Sequence, residues 1–214
     1  MPLSADPSAD ELRAGRVAAA MLALVAGFAD AYGYLGWHLF GANMTGNTVI
    51  FAISLFSSPE RAGLPLMLIV LFFAGAILGR LIVERFSSYN GLYAEAGLLV
   101  VAALAPRHAT LPVISLAMGL QNTALGTFAG VAANTSFLSG DYTKLGQVIA
   151  DLALHRGTES DRQAISIIWP LIVAYALGAL ISASMSTIPL RLLLVVPVVA
   201  ILAFATHRRL LNPS

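Results

Sequence analysis

The sequence predicts an all-α, polytopic helical membrane protein. About six transmembrane helices and two short broken or re-entrant helices are expected, arranged as two repeats of inverted topology. Three observations predict this. The chain is 58% hydrophobic and only 11% charged, with a mean hydropathy of +0.81, where a soluble domain carries roughly 25% charged residues. Several stretches exceed the ~18 apolar residues that mark a spanning helix. Finally, a glycine-centred polar motif occurs twice, as Asn43-Met44-Thr45-Gly46-Asn47 and as Leu138-Ser139-Gly140-Asp141, each time opening an apolar helix.

Taken in order, residues 1–15 read as a disordered cytoplasmic leader, because Met1 to Glu11 is rich in Pro, Ser, Ala and Asp. Residues 16–107 form a first membrane repeat, 108–207 a second, and 208–214 a short cytoplasmic tail. Arg13 and Arg16 precede the apolar run Val17 to Leu35, which is too long for a cleaved signal and reads as an uncleaved first span. Full-length spans are expected at 17–36, 64–83, 91–105, 111–128, 164–184 and 189–206. The motif helices, 45–58 and 141–154, would each be roughly 21 Å long, too short for ~30 Å of hydrocarbon. They are expected to enter from one side or to complete a broken span, which favours six crossings over eight. Arginine counting gives the same inside bias for either number, with both termini cytoplasmic.

The halves share more than the motif. Gly27-Phe28-Ala29-Asp30 matches Gly119-Leu120-Gln121-Asn122, and Gly75 and Gly79 match Gly178 and Ser182. Inverted repeats with broken helices meeting near the midplane are a transporter architecture. Gly75-x-x-x-Gly79 and Gly126-x-x-x-Gly130 fit close helix packing.

Composition excludes several classes. A net charge of +1 offers nothing to nucleic acid. The absence of Cys removes disulfides and thiolate chemistry. His38, His108, His155 and His207 show no metal-ligand spacing, so neither a metal nor a cofactor is expected. With no His-Glu-x-x-His, Gly-x-Ser-x-Gly or P-loop, neither an enzyme nor an ATP-driven pump is supported.

The candidate site is polar. Asp30 reads as the sole acidic residue well inside a full-length span, sharing a helical face with Gly27 and Tyr34. A carboxylate there binds a proton or solute, or caps a nearby broken helix. The triplets Thr45-Gly46-Asn47 and Ser139-Gly140-Asp141 have N-cap chemistry, with Asn43 just before the first; Gly permits a sharp turn. The free N–H groups beyond favour an anion or polar solute, and ordinary capping is the alternative. Lys144 stands where it can pair with Asp141. Gln121 and Asn122 bind solute or bond between helices, the second being favoured.

The segments Gly27-Phe28-Ala29-Asp30-Ala31, Met44-Thr45-Gly46-Asn47-Thr48 and Met118-Gly119-Leu120-Gln121-Asn122 resemble the YoaK family of bacterial membrane proteins, from about Val17 to Thr206. In its second half the family tends to Thr-Gly, where this chain has Ser139-Gly140 and then Asp141. The resemblance implies a multi-span inner-membrane protein and carries no substrate, cofactor or catalytic residue. The expectation is therefore a small secondary transporter or permease for a small polar or anionic solute, with protons as the coupling ion at Asp30 or Asp141. A non-transporting scaffold or accessory subunit is the rival. The bilayer is the one certain partner, and a homo-oligomer is compatible with the sequence.

Overall fold

The computed structural model describes residues 8–124, 127–185, 198–199, 201–202 and 206. Its described elements are seven α-helices, a short 3-10 helix (Pro59–Arg61) that leads into α3, and a two-stranded hairpin: α1 (Ala9–Trp37), α2 (Met44–Ser57), α3 (Gly63–Arg85), α4 (Ser88–Leu104), α5 (Arg107–Ala124), β1 (Thr127–Phe128), β2 (Val131–Ala132), α6 (Leu138–Ala153) and α7 (Glu159–Ser184). The expected span 189–206 lies almost wholly outside the described residues, as does the tail 208–214.

Among the described residues, three helical stretches, Ala9–Trp37, Pro59–Arg85 and Glu159–Ser184, are long and apolar enough to cross a membrane. The second is the most apolar, yet only 17% of its best window is buried. Val70, Phe73, Ile77 and Leu81 of α3 face outward, as do Ile53 and Phe56 of α2 and Trp169 and Leu180 of α7. Such outward apolar faces need lipid as their solvent. The chain is a multi-pass helical membrane protein. Helix α4 has 17 residues and extends roughly 25 Å.

Several boundaries differ from the expectation for identifiable reasons. The leader is partly helical: α1 starts at Ala9, because Ser8 and Glu11 form a capping box. Helix α5 stops at Ala124 rather than at 128, since Thr127–Phe128 turn back to pair antiparallel with Val131–Ala132. Gly130 sits in that turn at φ 81°, so it belongs to no helix-packing motif. Gly126 lies outside the described residues. Pro112 and Pro170 are accommodated inside α5 and α7.

Helix α1 packs chiefly on α7, and α5 on α3 and α4. Glycines set both principal crossings. A Cβ on Gly27 would collide with the Tyr175 carbonyl oxygen, and one on Gly178 with that of Leu24. At the other crossing, a Cβ on Gly119 would collide with the Phe72 carbonyl and one on Gly75 with that of Leu116. Gly75 and Gly79 thus serve internal packing against α5; a Cβ on Gly79 would meet Thr123 and Leu120. Without these glycines the backbones could not approach to the distance at which dispersion holds lipid-embedded helices together. The two crossings use corresponding residues: Leu24, Gly27 and Phe28 match Leu116, Gly119 and Leu120, while Phe72 and Gly75 match Tyr175 and Gly178. Helix α1 therefore meets α7, and α5 meets α3, through the same pattern of residues.

Candidate functional site

The site is built from the two segments that lead into the motif helices. After α1, His38 takes the left-handed conformation (φ 56°), donating its N–H to the Tyr34 carbonyl, and the chain doubles back along α1. It runs so close that a Cβ on Gly41 would lie 2.8 Å from the Ala29 carbonyl oxygen. Asp30, only 3% exposed, holds this segment. Its Oδ1 accepts from the N–H groups of Ala42 (2.6 Å) and Asn43 (2.9 Å), and its Oδ2 accepts from the Tyr175 hydroxyl on α7. Three donors on one carboxylate keep a charge tolerable away from water. Ser115 of α5 adds a bond to the Gly41 carbonyl at 3.1 Å.

Asn47 is fully buried. Its Oδ1 accepts from the Phe40 N–H at 2.9 Å and its Nδ2 donates to the Phe40 carbonyl at 2.8 Å. The N-cap of α2 is Asn43, whose Oδ1 accepts from the Gly46 N–H at 3.1 Å. This corrects the expected capping triplet: Thr45 is already inside the helix and exposed. Gly46 does not make the turn; it gives room to the Phe40 ring, which a Cβ would approach to 2.7 Å.

The second segment follows the hairpin. Gln121, fully buried, donates through Nε2 to the Leu22 carbonyl and to Thr135 Oγ1, both at 3.0 Å. Asn122 accepts through Oδ1 from the Ser136 hydroxyl at 3.1 Å, and Asn134 Oδ1 takes the Ser136 N–H at 3.1 Å. Helix α6 then begins at Leu138, with Phe137 as N-cap and no side-chain capping bond. Ser139, Gly140 and Asp141 are therefore all helical rather than capping. Gly140 faces open space, so no steric demand accounts for it. Asp141 is only 4% exposed. Among the described residues it forms no ion pair with Lys144, whose Nζ turns to the Ala132 carbonyl at 3.4 Å.

The N-termini of α2 and α6 open onto one cavity of about 420 Å³. It is lined by Asn43, Thr45, Gly46 and Val49 at the start of α2, by Ser136 to Ser139 and Tyr142 at the start of α6, and by Tyr175 of α7. Of the residues singled out in the sequence, Asn43, Thr45, Gly46 and Ser139 line it. Asp30 reaches it through Tyr175 and the Asn43 N–H, and Asn122 through Ser136. Asn47, Gln121, Gly140, Asp141 and Lys144 do not line it. Tyr34, expected on the Asp30 face, is half exposed and stacks on Phe40 with ring centroids 5.4 Å apart.

Two residues escape the sequence reading. Tyr175 looks like an ordinary aromatic in an apolar span. Glu95 falls within the expected span 91–105, and it overturns the reading of Asp30 as the sole intramembrane carboxylate. Because α4 starts at Ser88, Glu95 lies well inside the helix, fully buried, with neither oxygen bonded among the described residues.

Comparison with known proteins accords with this architecture. Residues 18–206 match the family described as "Protein of unknown function (DUF1275)". The chain is 27% identical to the UPF0700 transmembrane protein YoaK of Bacillus subtilis (strain 168), over 76% of this chain and 80% of that protein. No solved structure matches. With its family match running across every described helix but the start of α1, the chain belongs to the DUF1275 family, alongside YoaK.

Proposed function

We propose that the protein is a small permease or secondary transporter, binding a small polar or anionic solute in the cavity between α2 and α6. The carrying observation is the convergence of both motif-helix N-termini on that one cavity. Its volume falls within the roughly 300–1,000 Å³ of small-molecule sites. Thr45 of α2 and Ser139 of α6 both line it. The α6 N-terminus, uncapped by any side chain, leaves N–H groups to meet an acceptor. Among the described residues no Lys, Arg or His lines the cavity, so recognition there rests on hydroxyls, amides and helix ends.

In this reading the halves form an inverted repeat of three crossings each, supported by the matched glycine crossings. The protein resides in the bacterial inner membrane, with Arg13 and Arg16 holding the N-terminus in the cytoplasm. Helix α2, with 14 residues, does not cross unaided.

A scaffold without transport is the second reading, favoured by one observation: Asp30, Asn47, Gln121 and Asn122 all bond to other parts of the chain. The separating experiment is a solute screen on purified protein, by thermal shift and then by uptake into proteoliposomes. The carrier reading expects a solute whose uptake falls at least ~10-fold in Thr45→Trp and Ser139→Trp, which fill the cavity, the size of effect that losing ~1.4 kcal/mol produces. Uptake untouched by both substitutions removes it, and a screen with no binding solute favours the scaffold.

A further inference from the structure

The two motif helices carry a buried polar side chain at the same position, and in α6 one of its oxygens has no partner among the described residues. Asn47 is the fourth residue of α2, and its side chain reaches back to the residue four positions before the helix, Phe40. There it accepts from the N–H and donates to the carbonyl, a latch of two bonds. Asp141 is the fourth residue of α6, and the residue four positions before that helix is Asn134. The Asn134 main-chain N–H acts on the Asp141 carboxylate, in the place that the Phe40 N–H holds beside Asn47. The donating half is missing: Asp141 Oδ2 is buried without a partner among the described residues. A carboxylate has only acceptors, whereas a carboxylic acid has one acceptor and one O–H, the same inventory as the Asn47 amide.

We infer that Asp141 is a proton-binding site: a proton on Oδ2 supplies the donor that completes the latch on the Asn134 carbonyl. The proton comes from water and returns to it, with no other bond made or broken. Protonation fixes the lead-in to α6, and the ionised form releases it. The consequence reaches the cavity in one step, because Asn134 Oδ1 holds the N–H and hydroxyl of the wall residue Ser136 at 3.1 and 3.2 Å. Lys144, one turn along the same helix, is the charged group acting on Asp141. From α7, Asp161 draws on the same Lys144. The lead-in strand contributes only neutral Ala132, Asn134 and Thr135. Asp30 is not an equivalent site. All three of its partners are donors, so a proton there would displace a bond rather than add one. The inference goes beyond the carrier reading and holds whether or not the cavity carries a solute.

The test uses the full chain in lipid nanodiscs. The protonated-carboxyl C=O stretch is followed by infrared spectroscopy through a pH titration, in wild type, Asp141→Asn, Asp30→Asn and Asn47→Asp. One titrating band should vanish in D141N and persist in D30N, and N47D should gain a band by acquiring a second acid latch. Thermal melts supply a second readout. Because Asn completes the latch permanently, D141N should match wild type at acid pH and exceed it by about 2–4 °C at alkaline pH, the shift one hydrogen bond produces in a chain of this size. Unchanged bands in a folded D141N, or a melting difference that does not vary with pH, would overturn the assignment.

Discussion

The Tyr175 hydroxyl donates to Oδ2 of Asp30, joining residues 145 positions apart and tying α7 to α1 beside the cavity. The same carboxylate holds the Ala42 and Asn43 N–H groups through Oδ1, so one side chain fixes both a helix pair and the lead-in to α2. At the α5–α3 crossing the corresponding positions hold Asn122 and Phe72, an amide and a ring without a hydroxyl. The link between carboxylate and phenol therefore exists on one side only.

This relationship predicts coupled losses. Tyr175→Phe should cost about 2 kcal/mol, the range of a hydrogen bond to a charged group. Asp30→Ala should cost about 4 kcal/mol, because it strands two buried N–H groups as well as the phenol. In the double mutant the Tyr175→Phe cost should largely vanish, since its acceptor is already gone. Reversible unfolding in micelles measures all three, and strictly additive costs would show that the two residues do not act together.

Asn47 offers a cleaner case, because its side chain satisfies both main-chain groups of Phe40 and does not line the cavity between α2 and α6. Asn47→Ala should destabilise by about 2–3 kcal/mol and free the 38–43 segment. Asn47→Asp should cost nearly as much at neutral pH, since an ionised carboxylate faces the Phe40 carbonyl with no donor. Amide exchange of Phe40 and Ala42 should rise in Asn47→Ala. Protection equal to wild type would place the hold on this segment elsewhere.

Much of this architecture was legible in the sequence, and the gaps have physical causes. Long apolar runs announced α1, α3 and α7, because a spanning helix must be apolar along its length. The end of α5 was not legible: Thr127 to Val131 is as apolar as a helix turn, and hydrophobicity alone does not separate a short buried hairpin from helix. The start of α6 was hidden for the opposite reason. Its N-cap is Phe137 and gives no capping bond, so the usual polar start signal points three residues too far along. The motif residues were recognisable as polar and important, yet Asn47 and Asp141 serve the chain's own backbone rather than the cavity. Tyr175 could not be found at all, since its partner is distant in sequence and nothing local distinguishes it from a lipid-facing tyrosine.

Two solvent-exposed carboxylates permit a pH prediction with a defined sign. Asp161 accepts from the Thr158 N–H at 2.8 Å and from its hydroxyl at 2.7 Å, and these bonds hold its carboxyl below the ordinary range, the main-chain bond contributing most. Glu11 is lowered in the same way by the backbone and side chain of Ser8. A folded pKa below the unfolded one means that the stabilisation is complete above the unfolded value and is lost as pH falls through the folded value. Acid should therefore fray the first turns of α7 and α1. Carbon-13 titration of the Asp161 carboxyl should move up to the ordinary range in Thr158→Ala, which removes the hydroxyl donor and loosens the box. A titration unchanged by that substitution would contradict the capping account.

The glycines separate structural from incidental small residues, and they give the sharpest contrast in stability. At Gly27 and Gly119 an added methyl meets main-chain atoms of Tyr175 and Phe72, which cannot turn aside as a side chain could. Relief requires the helices to move apart along the whole crossing, so each Gly→Ala change should cost about 3 kcal/mol, the upper range of overpacking. The two costs should be similar, because the crossings use corresponding residues in the same geometry. Gly140 is the control: it lies in a helix, exposed, with nothing within 4 Å of a would-be Cβ. Gly140→Ala should stabilise by up to about 1 kcal/mol through helix propensity alone. Thermal melts of the three single mutants in one lipid mixture decide the matter. Equal effects at Gly27 and Gly140 would mean that the α1–α7 crossing yields easily, and that close backbone contact is not what sets the distance between these helices.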